Sequence, residues 1–285
     1  MRRRLNWNFV LTGLIALQAT TLICRAASAS SPHAKVDLIS EANAIQPGRI
    51  LRVGLHFTLE KGWHIYWINP GDSGEPPRIQ WQLPAGFRAG AIQWPAPRRI
   101  PDHSLMDYGY EEEALLIVPI SIPSRLQSHE IKLGATAKWL VCRDSCIPEQ
   151  TNLDLSLPVR DAGSQSGSPW HRLFVTTQEH IPKPAPKQWK LRALAEKDRF
   201  ILEVRTGKPE RQAVFFPLEP DQIENAAPQE VSSYSGGVRI SLRKSDQLMQ
   251  PISTLRGVIV MNSGQAYVIA APIAQSNSPK RRNRP

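Results

Sequence analysis

RILRVGLHFTLE, residues 49–60, sets Leu51, Val53, Leu55, Phe57 and Leu59 against Arg52, Gly54, His56 and Thr58 with a period of two. Successive side chains of a strand point to opposite sides, so this spacing predicts a strand with one apolar and one mixed face. Similar runs follow at LLIVPISIP (115–123), IKLGATAKWLV (131–141) and TNLDLSLPV (151–159), with turns rich in Pro, Gly and Ser between them. They resume at KLRALAEKDRFILEVRT (190–206), VRISLRK (238–244) and LRGVIVMNSGQAYVIAAPI (255–273). With 25 prolines in 285 residues, long helices are disfavoured, because proline lacks the amide hydrogen and clashes with the preceding turn. Short strands at this spacing predict an all-β chain built as a sandwich.

Composition shifts at DAGSQSGSP (161–169), and a proline-rich piece, IPKPAPK, occupies 181–187. Between them WHRLFVTTQEH is predicted as a short helix or a loop element. The expected organisation is a first β domain at 30–160, a linker region at 161–186 and a second, smaller β-rich domain at 187–273.

The ends of the chain carry different signals. MRRRLNWN places three arginines before FVLTGLIALQATTLI (9–23), and CRAASAS follows with small residues. This is the layout of a secretory signal peptide spanning 1–29, with cleavage after Ala27-Ser28-Ala29. The apolar core is short for a membrane span. A lipoprotein anchor at Cys24 fits poorly, since bulky Ile23 precedes it and Arg25 follows at once. The mature product is therefore expected to be exported, soluble and, in a Gram-negative source, periplasmic. A basic tail, predicted to be disordered, covers 274–285.

The net charge of +10 does not describe a nucleic-acid binder. Four positives lie in the leader and four in the tail, while residues 30–160 carry a net −1 and 161–275 a net +3. No concentrated basic face results.

WLVCRDSCIPEQ (139–150) holds two of the three cysteines, four positions apart, and loss of the leader would remove the third. In an oxidising compartment two nearby thiols are expected to pair. Strand-like sequence precedes them and Pro148 follows, so Cys142 and Cys146 are placed on either side of a tight turn between strands, with Arg143-Asp144-Ser145 at its tip. A thioredoxin-type centre has two intervening residues and a helix start instead. Such a bridge closes a very short loop, so it removes little unfolded-chain entropy. Arg143 favours a thiolate at Cys142 and Asp144 opposes it. The spacing matches no usual closed zinc site with His103 or His129, and Ser145 lacks a nucleophile-elbow setting. Two roles stay open on the residues alone. The pair either exchanges with foreign thiolates or staples a β-sandwich binding or scaffold module.

GWHIYWINPGDSGEPP (62–77) puts Trp63, Ile65 and Trp67 on one strand face, expected in the core, and His64 and Tyr66 on the other, within reach of a disulfide or a partner. NPGDSGEPP then has the residues of a rigid turn and no phosphate-loop pattern. DHSLMDYGYEEE (102–113) is predicted as an aromatic loop able to cover a reactive disulfide, and Glu111, Glu112 and Glu113 as a solvated edge or turn.

Taken together, GWHIYWINPGDSGEPPRIQWQLPAGF, IQWPAP, DYGYEEEALLIVP and WLVCRDSCIPE resemble, in order, the amino-terminal periplasmic domain of the DsbD thiol:disulfide interchange family, and more closely its ScsB-like members. The likeness extends to AVFFPLEPDQIENAAPQ (213–229) and LRGVIVMNSGQAYVIAAP. The resemblance implies an immunoglobulin-like β-sandwich whose cysteine pair shuttles electrons without any organic or metal cofactor. It implies Cys142 and Cys146 as the redox pair, and Met106, Asp107, Tyr108 and Gly109 as a shielding cap loop. His64 and Tyr66 are implied as flanking aromatic positions, His64 standing where better-known members have tyrosine. Implied partners are periplasmic thioredoxin-like or disulfide isomerase proteins, and a membrane electron-transfer protein. Because the sequence ends at Pro285, that membrane conduit and a carboxy-terminal thioredoxin-like module are expected from separate proteins. The three residues between the cysteines are fewer than in the better-known DsbD domain and like the ScsB-like pattern.

Overall fold

The computed structural model describes residues 28–30, 32–161 and 167–275. Residues 1–27 of the leader and 276–285 of the basic tail lie outside them. The first part of the chain forms β1 (Ser28–Ser30), β2 (Ala34–Ser40), β3 (Ile50–Leu59), β4 (His64–Gly71), β5 (Arg78–Gln82) and β6 (Arg88–Ala89). It continues with β7 (Arg98–Asp102), β8 (Leu105–Glu111), β9 (Glu113–Ser121), β10 (Glu130–Cys142) and β11 (Cys146–Pro158). One sheet runs β1-β2-β3-β9-β6, and the facing sheet runs β11-β10-β4-β8-β7 with β5 also on β10. β1 straddles the expected cleavage point, pairing Ser28 with Asp37 and Ser30 with Lys35.

Side chains from both sheets make one core. Val36, Leu38, Val53, Leu55 and Phe57 come from one, and Ile65, Trp67, Leu133, Ala137 and Val141 from the other. The period-two pattern of residues 49–60 thus points the set containing Leu55 and Phe57 inward. The opposite face is not solvated throughout, however. Helix α1 (His171–His180) lies over it, seating Phe174 against Ile39, Leu115 and Ile117. His56 is consequently buried, its Nε2 2.8 Å from Glu113 Oε1 and its ring 5.1 Å from that of Trp170. The unbroken apolar run Leu115–Val118 in β9 has the same cause, a strand covered on both sides. The segment 161–186 therefore includes a packed element, and the Ala96 amide donates to the His180 carbonyl at 2.9 Å.

The remainder forms β12 (Lys183–Pro184), β13 (Lys190–Ala195), β14 (Arg199–Arg205), β15 (Ala213–Pro217), β16 (Glu230–Tyr234), β17 (Gly237–Arg243), β18 (Thr254–Met261) and β19 (Ala266–Gln275). They order as β15-β18-β19-β13-β14-β17-β16, with β12 also on β19. This sheet encloses a second core around Leu202, Val204, Phe215, Ile240, Ile259 and Ala271. Phe216 faces the other way. It is 3% exposed and joins the first core, its ring edge-on to Trp67 at 6.2 Å and to Tyr108 at 5.2 Å.

Candidate functional site

The hairpin of β10 and β11 pairs residue by residue from Glu130↔Pro158 to Cys142↔Cys146. The two cysteines are thus its last rung before the turn Arg143-Asp144-Ser145. Directly opposed strand residues are close enough for a bridge. The structure holds a Cys142–Cys146 disulfide with Cα atoms 4.2 Å apart. Its two residues belong to unlike environments: Cys142 is 1% exposed, whereas Cys146 is an exposed residue.

On its other side Cys142 pairs with His64, and His64 with Glu111. This brings β4 and β8 beside the bridge. The alternation Trp63, Ile65, Trp67 fills the core, which turns His64 and Tyr66 to the opposite face. Tyr66 Oη lies 3.4 Å from Cys146 Sγ and 3.4 Å from Ser73 Oγ. Ser73 in turn donates twice to Asp107, from its amide to Oδ1 at 3.0 Å and from Oγ to Oδ2 at 2.9 Å. His64 Nε2 is 3.7 Å from Asp107 Oδ2, and the two rings of His64 and Tyr66 meet edge-on at 5.1 Å. All three groups are buried. Gly74, at φ +77, lets the loop lie flat on Tyr66; a Cβ there would fall 2.1 Å from the phenol Cζ.

Burial sets the electrostatics. It pushes the His64 imidazole below its ordinary pKa, against the opposing influence of Glu111 and Asp102. It pushes the Asp107 carboxyl up, only partly offset by the two Ser73 hydrogen bonds, and it raises the Tyr66 phenol. Both His64 and Asp107 therefore lean toward their neutral forms, as desolvation demands. A lowered imidazole pKa means that the unfolded chain binds more protons between the folded value and about 6.5. Stability from this group is thus complete above about pH 6.5 and is lost as pH falls through that window. Wild type is expected to lose more stability than His64→Gln between pH 7 and 5.5, with a constant difference above pH 7. Paired denaturant titrations check this; parallel curves on acidification would contradict it.

The other expected site residues fall as follows. Arg143 and Asp144 are exposed at the turn and pair with each other at 3.0 Å. The Arg143 guanidinium also sits over the Trp63 ring at 5.1 Å. Met106, Asp107, Tyr108 and Gly109 do not form a loop. They lie in β8, paired to β4 through Tyr66↔Gly109 and to β7 through Arg99↔Tyr108. The turn of this hairpin is at His103-Ser104 instead. Gly109 is glycine because a Cβ would stand 2.1 Å from the Ile65 carbonyl oxygen, a strand-to-strand approach rather than a bend. Tyr108 is fully buried and donates to Asn225 Oδ1 at 2.9 Å. At these positions strand pairing to β4 and β7 stands in place of the expected cap loop. Glu112, at φ +62, makes the crossing between sheets, and Glu113 is exposed. Asp72, Ser73 and Asn225 belong to the site's surroundings and were not singled out by sequence; the turn composition of NPGDSGEPP is the only local signal for Asp72 and Ser73, and Asn225 has none.

The arrangement defines an all-β sandwich domain with a disulfide at a hairpin tip, exposed at Cys146 and backed by a buried phenol and carboxyl with a half-buried hydroxyl between them. Residues 35–158 match the family described as thiol:disulfide interchange protein DsbD, N-terminal. Among solved structures it is similar to the N-terminal periplasmic domain of ScsB from Proteus mirabilis, at 17% identity and a TM-score of 0.65, covering 87% of this chain and 97% of that one. That likeness supports the shared fold across both β units. A Porphyromonas gingivalis protein of unknown function (12% identity, covering 83% of this chain and 96% of that one, TM-score 0.23) carries no argument. The periplasmic chaperone SfaE (9% identity, 84% and 99%, TM-score 0.22) carries none either. No curated protein sequence matches the chain.

Proposed function

We propose that this chain is a periplasmic thiol–disulfide exchange protein that relays electrons through Cys142 and Cys146 to or from partner thiol proteins. The family of its first domain and the periplasmic origin of the ScsB fold relative support the compartment and the chemistry. The observation that carries the mechanism is the asymmetry of the bridge, between an exposed residue, Cys146, and an enclosed one, Cys142. A partner thiolate attacks Cys146 Sγ, forming a mixed disulfide while the bond to Cys142 breaks. Cys142 leaves as a thiolate and takes up a proton. The partner's second thiolate then attacks its own sulfur in the mixed disulfide and releases Cys146. The partner ends oxidised and this chain holds two electrons; the reverse sequence hands them on. Thioredoxin-like or disulfide isomerase proteins have the paired thiols this requires, and a membrane electron-transfer protein is the proposed source of electrons.

Trapping tests the assignment. With Cys142→Ser, the remaining Cys146 should accumulate mixed disulfides with glutathione or a monothiol thioredoxin-like partner. With Cys146→Ser, the enclosed Cys142 should react roughly tenfold or more slowly. Equal trapping at both positions would overturn the order of attack. A bridge in the wild type that no partner dithiol reduces would leave a structural staple.

A further inference from the structure

One side chain of the second β unit is linked to the surroundings of the disulfide by hydrogen bonds. Asn225, in the loop between β15 and β16, is 5% exposed and uses both ends of its amide. Its Oδ1 accepts from the Tyr108 hydroxyl at 2.9 Å, and its Nδ2 donates to Asp72 Oδ1 at 2.8 Å. Its carbonyl accepts from Arg99 at 2.6 Å, which fixes the backbone of the loop as well. The other Asp72 oxygen accepts the Met106 amide at 2.8 Å. Asp72 is therefore held from two sides, and the next residue is Ser73, whose hydroxyl stands between Asp107 and Tyr66. Tyr66 ends the series at Cys146 Sγ.

Resting on the exchange function above, we propose that Asn225 is a positioning residue for Cys146: by pinning Asp72, the second β unit holds Ser73 and thereby the Tyr66 hydroxyl on the reactive sulfur. Once the bridge is reduced, that hydroxyl turns its single proton from Ser73 Oγ to the Cys146 thiolate, a charge-assisted hydrogen bond that favours the ionised form, while Ser73 keeps the ring in place by contact. The raised pKa of Tyr66 keeps the phenol protonated for this purpose. Other charges facing the pair are Arg143 and Asp144 at the turn, Glu111 and Asp107 on β8, and Asp102 and His64 nearby. None of these is altered by a change at position 225.

The test uses full-length reduced protein and follows alkylation of Cys146 against pH, with peptide mapping to separate it from Cys142. Asn225→Asp keeps the shape but sets a carboxylate against Asp72. It is expected to raise the Cys146 thiol midpoint by about one unit, the size of one hydrogen bond to a charged group. Asn225→Ala, which adds no charge, should move it the same way, and thermal melting confirms that each variant folds. The pair N225D/D72N restores a donor and an acceptor in reversed order and should return the midpoint most of the way. In a Tyr66→Phe background, Asn225→Ala should add nothing, because the path runs through that hydroxyl. A midpoint unmoved by both Asn225 variants, a failed rescue, or full additivity with Tyr66→Phe would overturn the role of Asn225. Failure of the exchange function reads out differently: wild-type protein whose bridge no dithiol reduces.

Discussion

Replacing Cys146 with serine is expected to abolish electron relay while leaving the sandwich folded. The bridge closes a loop of about five residues, for which the chain-entropy relation gives about 2 kcal/mol. In a chain of this size that corresponds to a melting temperature lower by about 4–8 °C. The large effect is therefore chemical and the small one structural. Relay assayed with a reduced dithiol partner should fall to background in Cys146→Ser and in Cys142→Ser alike, since two-electron transfer needs both sulfurs. The variants separate only in trapping, where Cys142→Ser holds a partner and Cys146→Ser barely does. A melting temperature that collapses, together with relay that was never present in the wild type, would describe a staple.

Phe216→Ala is expected to have the largest effect on stability. The ring is 3% exposed and touches Trp67 and Tyr108, both essentially without solvent contact. Truncating an aromatic in such a site costs about 3–5 kcal/mol, the transfer of the ring plus the cavity it leaves. The cavity opens at the seam between the two β units, near Asn69, whose Nδ2 donates to the Pro217 carbonyl at 2.8 Å. Urea titration measures the loss directly. Met249→Ala is the control: that side chain is 88% exposed, and its removal should stay within about 0.5 kcal/mol. A loss below about 1 kcal/mol for Phe216→Ala would mean that the seam is not a core.

The strands and the cysteine hairpin were legible because each rests on local rules. Alternation along residues 49–60 marks a strand whichever partner it finds. Arg143-Asp144-Ser145 between a strand-like run and Pro148 marks a turn. Trp63, Ile65 and Trp67 identify their own face, and by exclusion that of His64 and Tyr66. What sequence could not supply is coverage at a distance. The Gly54 and His56 face of β3 looks solvated until α1, more than a hundred residues later, is laid across it. DYGYEEE was read as a loop because Gly109 between two tyrosines has turn chemistry; its glycine instead answers to the Ile65 carbonyl, 44 positions earlier. The Asp72–Asn225 contact joins groups 153 positions apart, and neither residue type in its own setting points to the other.

The bridge occupies the final rung of a ladder that is already complete without it. Twelve strand pairings below, from Val141↔Ile147 to Glu130↔Pro158, keep the two sulfurs neighbours whether or not they are bonded. Gaining or losing the electron pair thus asks for almost no change of shape. A docking protein meets nearly the same outline in either state and must tell full from empty by the sulfur itself. Under the proposed relay, departure after transfer would be governed by the covalent step, and the chain would serve as a rigid terminal with two settings rather than a hinge.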